Sequence, residues 1–384
     1  VCNIKILFYN DIHYTESRKF DKKIDNISYR DYAINELIKH INKVAEEENV
    51  DLIVNNGDVI HDTSKINMNE ISNILNIFHS TTKKDTIIIS GNHDINHYET
   101  ENGSFVSMFN NPYITKVITS PLIQEYDDVI LVFVPYYKAK TMVEKLEELY
   151  KHLKSTKKPI IMFGHFGFDF ALPIFNPEQE DIVEYDKVKD FMSIYTKVFL
   201  GHLHFKYSQD NIEFTSTATT HNFTDSFNFN TKTYNNDIGY SILDTNNMKL
   251  DFYPTHDFLP TFMEVNLDST NIEDLVDYIS SKQIADSVEY LSNNKVYNSY
   301  FYLRLNTNNK HIDTQIYNSL KLDNILSISI KTNQESINKN YVKQQLNNID
   351  KIDNVVDFFI NQGLNEFDNK EKALEVINKI KEAI

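Results

Sequence analysis

Residues 86–94 read Thr86-Ile87-Ile88-Ile89-Ser90-Gly91-Asn92-His93-Asp94. A short β-branched run stops abruptly in a glycine, a carboxamide, an imidazole and a carboxylate. The run Thr86–Ser90 has the length and composition of a buried strand. Glycine just after it lets the chain turn sharply and approach a site without a Cβ in the way. The same grammar recurs: Lys5–Tyr9, Leu52–Asn55, Val129–Pro135, Pro159–Phe163 and Lys197–Leu200 also read as buried strands that end in polar clusters. Of only eight glycines, Gly57, Gly91, Gly164 and Gly201 each follow such a strand and precede Asp, Asn or His.

Between these strands Ile34, Leu37, Ile38, Ile41, Val44 and Ala45 repeat at helical spacing, as do Ile71, Ile74, Leu75 and Phe78. Strand–helix alternation predicts a layered α/β sheet. In such sheets ligands sit beyond the carboxyl ends of the strands, where five segments should converge. They are Asp11-Ile12-His13, Gly57-Asp58, Gly91-Asn92-His93-Asp94, Gly164-His165 and Gly201-His202-Leu203-His204. Besides His93 and Asp94 they supply Asp11, Asp58, Asn92, His13, His165, His202 and His204. Imidazole and carboxylate suit Mn, Fe, Zn or Ni, and the lack of thiolate argues against a structural zinc site. Seven ligands exceed one four-coordinate ion but suit two octahedral ones, a pair able to bind phosphate and activate water. Singly, each fragment is commonplace. Five in order, each at a strand's end, are not.

Composition narrows the function. With 384 residues, 41% hydrophobic and 24% charged, the chain can bury a sizeable core in two domains, or one with an extension. The apolar runs Val129–Tyr137 and Ile160–Phe163 are far shorter than the roughly 18 residues of a membrane span. No N-terminal signal pattern is read. The single cysteine, Cys2, forms no internal disulfide and fits a reduced, cytoplasmic setting. Membrane proteins, secreted disulfide scaffolds and coiled coils are thereby disfavoured. The net charge of −17 is a poor footprint for holding nucleic acid by charge alone, unless metal ions or a local basic stripe oppose it. Arg18, Lys19, Lys22, Lys23 and Arg30, beside Tyr14, Phe20 and Tyr29, offer such a stripe. A solvated loop is the alternative. His97 and His221 read as structural.

From Phe205 to Tyr253 hairpin-like strands replace helices, so one sheet is expected to finish in antiparallel pairs. After Pro254 strands at Phe262–Leu267, Tyr300–Leu305 and Ile325–Lys331, with a helix at Ile272–Ser280, suggest a small α+β domain. The tail carries two apolar stripes, Val342 to Phe359 and Leu374 to Ile384. They either pack on their own domain or dock into a partner's groove.

The five segments resemble the calcineurin-like metallophosphoesterases, where D-x-H, G-D, G-N-H-D, G-H and G-H-x-H build a two-metal site. The match covers the first 205 residues. Within that superfamily Gly57-Asp58-Val59-Ile60-His61 and the helix end Glu47-Glu48-Asn49-Val50-Asp51 resemble SbcD-type double-strand-break-repair nucleases of phage or prokaryotes. Tyr14 departs from the Leu followed by Gly that many relatives carry. The resemblance implies Asp11, His13 and His204 on one ion, Asn92, His165 and His202 on the other, and Asp58 between them. It gives His93 to the substrate as a proton donor, with Asp94 the candidate to orient it, and places His61 near DNA.

The expected fold is a four-layer α/β/β/α sandwich (1–255), a small α+β cap (256–335) and a helical tail (336–384) that binds an SbcC-type coiled-coil ATPase. The expected function is a Mn²⁺-dependent, two-metal DNA 3′→5′ exonuclease and endonuclease for recombination and repair, cytoplasmic and homodimeric through Met68–Phe78 and Ser104–Phe109. A small-molecule phosphodiesterase or phosphatase, or a non-catalytic scaffold for the ATPase, is the alternative.

Overall fold

Alternate side chains of the predicted strands enter two different cores, because successive residues of a strand point to opposite faces. In Lys5–Tyr9, Ile6 and Phe8 pack into one cluster while Leu7 and Tyr9 pack into another. In Ile130–Val134, Leu131 and Phe133 share the cluster of Ile6 and Phe8, whereas Ile130, Val132 and Val134 face a third. Both faces of both sheets are therefore covered. That is why the strands read as continuous apolar runs and not as alternating ones.

The computed structural model describes residues 4–14, 23–24, 27–95, 104–111, 114–174, 182–221, 226–266, 272–281, 301–307, 320, 322 and 325–332. The first sheet has the order Lys249–Pro254, Gly239–Asp244, Lys5–Tyr9, Leu52–Asn55, Asp85–Ile89, Thr115–Ile118. The last four run parallel, and Gly239–Asp244 joins antiparallel to Lys5–Tyr9 and to Lys249–Pro254. The second sheet has the order Lys206–Gln209, Ile212–Thr215, Lys197–Gly201, Ile160–His165, Ile130–Val134, Leu122–Glu125. Its four central strands are parallel and both its edge strands antiparallel. Antiparallel strands thus finish both sheets, not one as the sequence suggested.

Helix α1 (Tyr29–Glu47) and helix α2 (Met68–Thr81) cover the first sheet, with Leu37, Ile38, Ile41, Ile74 and Phe78 buried in one cluster. Helix α3 (Ala139–Leu153) and helix α4 (Tyr185–Met192) cover the second through Met142, Leu146, Val188 and Met192. Between the sheets Phe8, Phe133, Phe163 and Phe199 pack ring on ring, with Phe8 4.7 Å from Phe199 and 5.3 Å from Phe163. Each fully buried Phe contributes on the order of 1.5–3 kcal/mol. This is the expected α/β/β/α sandwich.

A third sheet has the order Thr233–Tyr234, Phe227–Asn228, Thr261–Asn266, Phe301–Thr307, Ile325–Thr332. Helix α5 (Ile272–Ser281) shares its core through Leu275 and Ile279. Two of these strands precede residue 255, so the small sheet recruits chain from before the expected boundary. By contacts the chain divides into residues 1–306 with 312–330, and residues 307–311 with 331–384. The expected tail helices lie outside the described residues. Among the described residues no helix is long and apolar enough to cross a membrane.

Candidate metal centre

The strand ends converge as the glycine pattern required, and the backbone there is unusual. Asp11, His13, Asp58 and His202 take φ of 53°, 43°, 53° and 83°, and Gly57 takes 100°. Left-handed backbone is uncommon for such residues and costs roughly 1–3 kcal/mol at each. Reciprocal strapping of two loops offsets it: Asp11 N donates to Gly57 O at 3.0 Å and His13 N to Asp58 O at 3.0 Å. Tyr14 N donates to Val59 O at 2.8 Å, and His61 N to Tyr14 O at 3.0 Å. The departure at Tyr14 is thus absorbed in a fully buried ring without disturbing the strapping. A Cβ on Gly91 would run into the Asp58 carboxylate, so that turn tolerates only glycine.

The seven candidate ligands come together in two groups that share Asp58. In one, His13 Nε2 lies 3.2 Å from His204 Nε2, 3.5 Å from Asp58 Oδ2 and 3.8 Å from Asp11 Oδ1. In the other, Asn92 Oδ1 lies 3.0 Å from His165 Nε2 and 2.9 Å from His202 Nδ1, and His165 Nε2 is 3.3 Å from Asp58 Oδ2. The carboxylates of Asp11 and Asp58 and the His165 ring place ligand atoms within 4.8 Å of one another. Imidazole nitrogens aimed at each other and at shared carboxylate oxygens, with Asp11, Asp58 and His165 all but fully buried, fit divalent cations.

Without a cation the charges settle among themselves. Burial opposes the charge of His165, yet Asp58 beside it raises its pKa to about 9. Asp58 resists its own burial and stays well below the usual carboxylate range, because the His165 charge faces it. Burial raises Asp11 to about 7. Burial and the His165 charge lower His202 to about 3, keeping its lone pair free.

His93 stands apart. Its backbone N donates to Asp58 Oδ1 at 2.9 Å, and its ring Nδ1 meets the carbonyl of His61 at 2.6 Å. Burial disfavours its proton, but Asp58, the His61 carbonyl and Asp94 together raise its pKa above the ordinary histidine value. The expected hydrogen bond from Asp94 to this ring is replaced. The Asp94 oxygens accept from Ile60 N and Gly91 N, both at 2.9 Å. Asp94 therefore ties the two metal loops together and reaches His93 only through its charge. His61 stacks on His93 with ring centres 5.2 Å apart at 18°, and its Nδ1 lies 3.2 Å from His13 Nδ1.

Arg30 is a correction. It is no exposed loop cation but sits in the first turn of α1, 1% exposed. It donates to the carbonyls of Ile12 (3.2 Å), His13 (2.8 Å) and Thr220 (3.1 Å) and to Thr219 Oγ1 at 3.1 Å. Arg18, Lys19, Lys22, the side chain of Lys23, and His97 lie outside the described residues. Sequence reasoning read His221 as structural but missed the role of the whole segment Thr215-Ser216-Thr217-Ala218-Thr219-Thr220-His221. Its polar side chains are all buried and grip the first metal loop. Thr217 Oγ1 donates to Asp11 O at 2.7 Å, Thr219 Oγ1 to Ile12 O at 3.1 Å, and Thr215 Oγ1 to Asn10 Oδ1 at 2.6 Å. Five hydroxyls in seven residues at the end of a strand were the available signal.

A dimetal phosphatase from Danio rerio is similar in structure at 10% identity, with 63% of this chain and 92% of that chain covered and a TM-score of 0.43. A putative 5′-nucleotidase from Staphylococcus aureus follows at 13% identity, 66% and 53% coverage and a TM-score of 0.40. A calcineurin-like phosphoesterase from Bacillus subtilis has 15% identity, 66% and 88% coverage and a TM-score of 0.34. No curated protein sequence matches the chain. Residues 4–206, more than half of the 384, match the family model described as calcineurin-like phosphoesterase, and they span all five strand-end segments. The chain belongs to the calcineurin-like metallophosphoesterases, a family of metal-dependent hydrolases.

Proposed function

We propose that this metallophosphoesterase is a DNA phosphodiesterase of SbcD type, a 3′→5′ exonuclease and endonuclease for recombination and double-strand-break repair. The observation that carries this reading is His61. It follows Gly57-Asp58-Val59-Ile60, stacks on His93 and holds the His93 ring through its own carbonyl. Half-buried against His13 and His93, it stands beside the metal ligands, where a nucleotide chain would pass. Two Mn²⁺ ions are proposed, and when bound they supply Lewis acidity at the phosphate and a nucleophile from water. Asp11, His13 and His204 would hold one, Asn92, His165 and His202 the other, and Asp58 both. The chain's own contribution to bond breaking is His93. Asp58, the His61 carbonyl and Asp94 raise its pKa above the ordinary histidine value and so favour a proton on the ring for the departing alkoxide.

The proposed partners are DNA, a second copy of the chain and an SbcC-type coiled-coil ATPase clasped by residues 336–384, in the cytoplasm. Met68, at the start of α2, is 76% exposed and Met108 is 37% exposed. Both stand in the segments expected to face the second copy. The −17 charge favours a second reading, a phosphodiesterase or phosphatase for small esters. Incubating the chain with plasmid DNA and with bis(p-nitrophenyl) phosphate, under Mn²⁺, Mg²⁺ or EDTA, decides between them. Metal-dependent cleavage of DNA is expected. Cleavage of the small ester alone establishes the second reading, and cleavage of neither leaves the scaffold.

A further inference from the structure

We infer that His221 is a positioning residue: as a neutral imidazole it relays hydrogen bonding from Arg30 through Thr217 to the Asp11 carbonyl and so sets the first group of ligands. The inference rests on the two-ion phosphoesterase reading, and its two central members, Thr217 and His221, lie beyond the matched residues 4–206.

Arginine has only donors and cannot accept. Arg30 Nη2 shares its two hydrogens among Ile12 O at 3.2 Å, Thr219 Oγ1 at 3.1 Å and His221 Nδ1 at 3.4 Å, and can face that nitrogen only as a donor. Nδ1 then carries the lone pair and the ring proton sits on Nε2. Nε2 lies 2.7 Å from Thr217 Oγ1 and donates to it. The hydroxyl, having accepted, directs its own hydrogen to the carbonyl of Asp11 at 2.7 Å, with Thr219 O at 2.9 Å sharing it. All donors in this relay point one way, and it ends on a residue held at φ 53°.

Packing gives the relay its target. The His221 ring lies 4.2 Å from the His204 ring at 34°, and 4.6 Å from the His13 ring at 83°. It thus backs two imidazoles of the first group while its relay orients the third member, Asp11. His221, His13 and His204 are close enough to suggest three ligands of one ion. The relay assigns His221 differently, since each ring nitrogen already has a partner. Outer partners of ligands fix ring orientation and tune the ion's hold.

The test is Mn²⁺ titration by calorimetry on the full chain, with elemental analysis, for wild type, His221→Phe, Thr217→Val and Thr217→Ser. Wild type should bind two ions. Thr217→Val, which removes only the relay's hydroxyl, should weaken one of them by about 10–100-fold, as should His221→Phe. Thr217→Ser should restore it. In a His204→Ala background, where the first group is already broken, Thr217→Val should change nothing further. Activity lost in Thr217→Val should return at saturating Mn²⁺. If both ions bind Thr217→Val with wild-type affinity, His221 is no relay, whether His221→Phe folds or not. Loss of an ion in His221→Phe but not in Thr217→Val would make His221 a ligand instead. A wild-type chain that binds no divalent ion would overturn the two-ion reading itself.

Discussion

His93 and His165 are both imidazoles beside Asp58, yet their surroundings give them different work. His165 is fully buried, its Nδ1 2.6 Å from the Asn56 carbonyl and its Nε2 turned toward Asp58 and Asn92. His93 is only partly buried, and its Nδ1 rests on His61 O. A group that holds an ion must give up its proton, whereas a group that serves a leaving oxygen must keep one. His93→Asn should accordingly retain both ions and lose on the order of 10²–10⁴ in kcat, the usual worth of general acid–base help. A p-nitrophenyl ester, whose leaving group needs no proton, should lose much less than DNA. Steady-state kinetics on both substrates with a metal count checks this. Release of an ion, or equal loss on both esters, would take the proton-donor role away from His93.

At the scale of elements, α1 and α2 are capped by side chains at their N-termini while the loops beside them carry the chemistry. Helix α2 begins in a capping box: Asn67 Oδ1 accepts from Asn69 N at 3.0 Å and Glu70 N at 3.1 Å, while Glu70 Oε2 accepts from Asn67 N at 2.9 Å. Only Ile74 and Phe78 of its apolar stripe are buried, so the cap matters more here than in the deeply packed α1. Asn67→Ala should cost about 1 kcal/mol, a fall of about 2–4 °C in Tm for a domain of this size. Hydrolysis should be unchanged, because the cap touches no candidate ligand. Calorimetric melting tests it, and an unchanged Tm would show that packing alone holds this helix. The stripe of α1 was legible in sequence as Ile34, Leu37, Ile38, Ile41, Val44 and Ala45, all buried save the half-buried Val44. The task of Arg30 was not, because a cation near other cations reads as a solvated patch until the fold places carbonyls around it.

For the whole molecule, the centre couples metal binding to protons. A ligand imidazole must be neutral, so an ion entering the second group expels the proton that Asp58 holds on His165 up to about pH 9. Below about pH 7 an entering ion must also displace a proton from Asp11. Affinity should therefore rise with pH, by about tenfold per unit for each proton expelled, and most steeply below pH 7. Mn²⁺ titrations in buffers of different ionisation enthalpy measure the released protons directly. Affinity independent of pH, with no proton release, would contradict the His165–Asp58 arrangement. By linkage, Mn²⁺ at 100 times its Kd should stabilise the fold by about 2.7 kcal/mol, and EDTA should remove that gain.

Sequence alone determined the central strands, though not Thr115–Ile118 or Leu122–Glu125 at the sheet edges, together with the glycine turns and the seven side chains that gather at the strand ends. These depend on local pattern: β-branched runs find a sheet, and glycine is needed wherever backbone and carboxylate would otherwise collide, as at Gly91 and Asp58. It also located the strands and helix of the small sheet to within about two residues, save the short strands Phe227–Asn228 and Thr233–Tyr234, too brief to carry a period. Only the tertiary structure decided what each polar group faces. Asp94 binds backbone N–H groups of two loops in place of the neighbouring ring. Arg30 closes on carbonyls up to 190 residues away, and His221 settles against His13 and His204. A hydrogen bond across such a span leaves no period or spacing in the chain. It exists once two sheets have stacked and brought their loops to one edge.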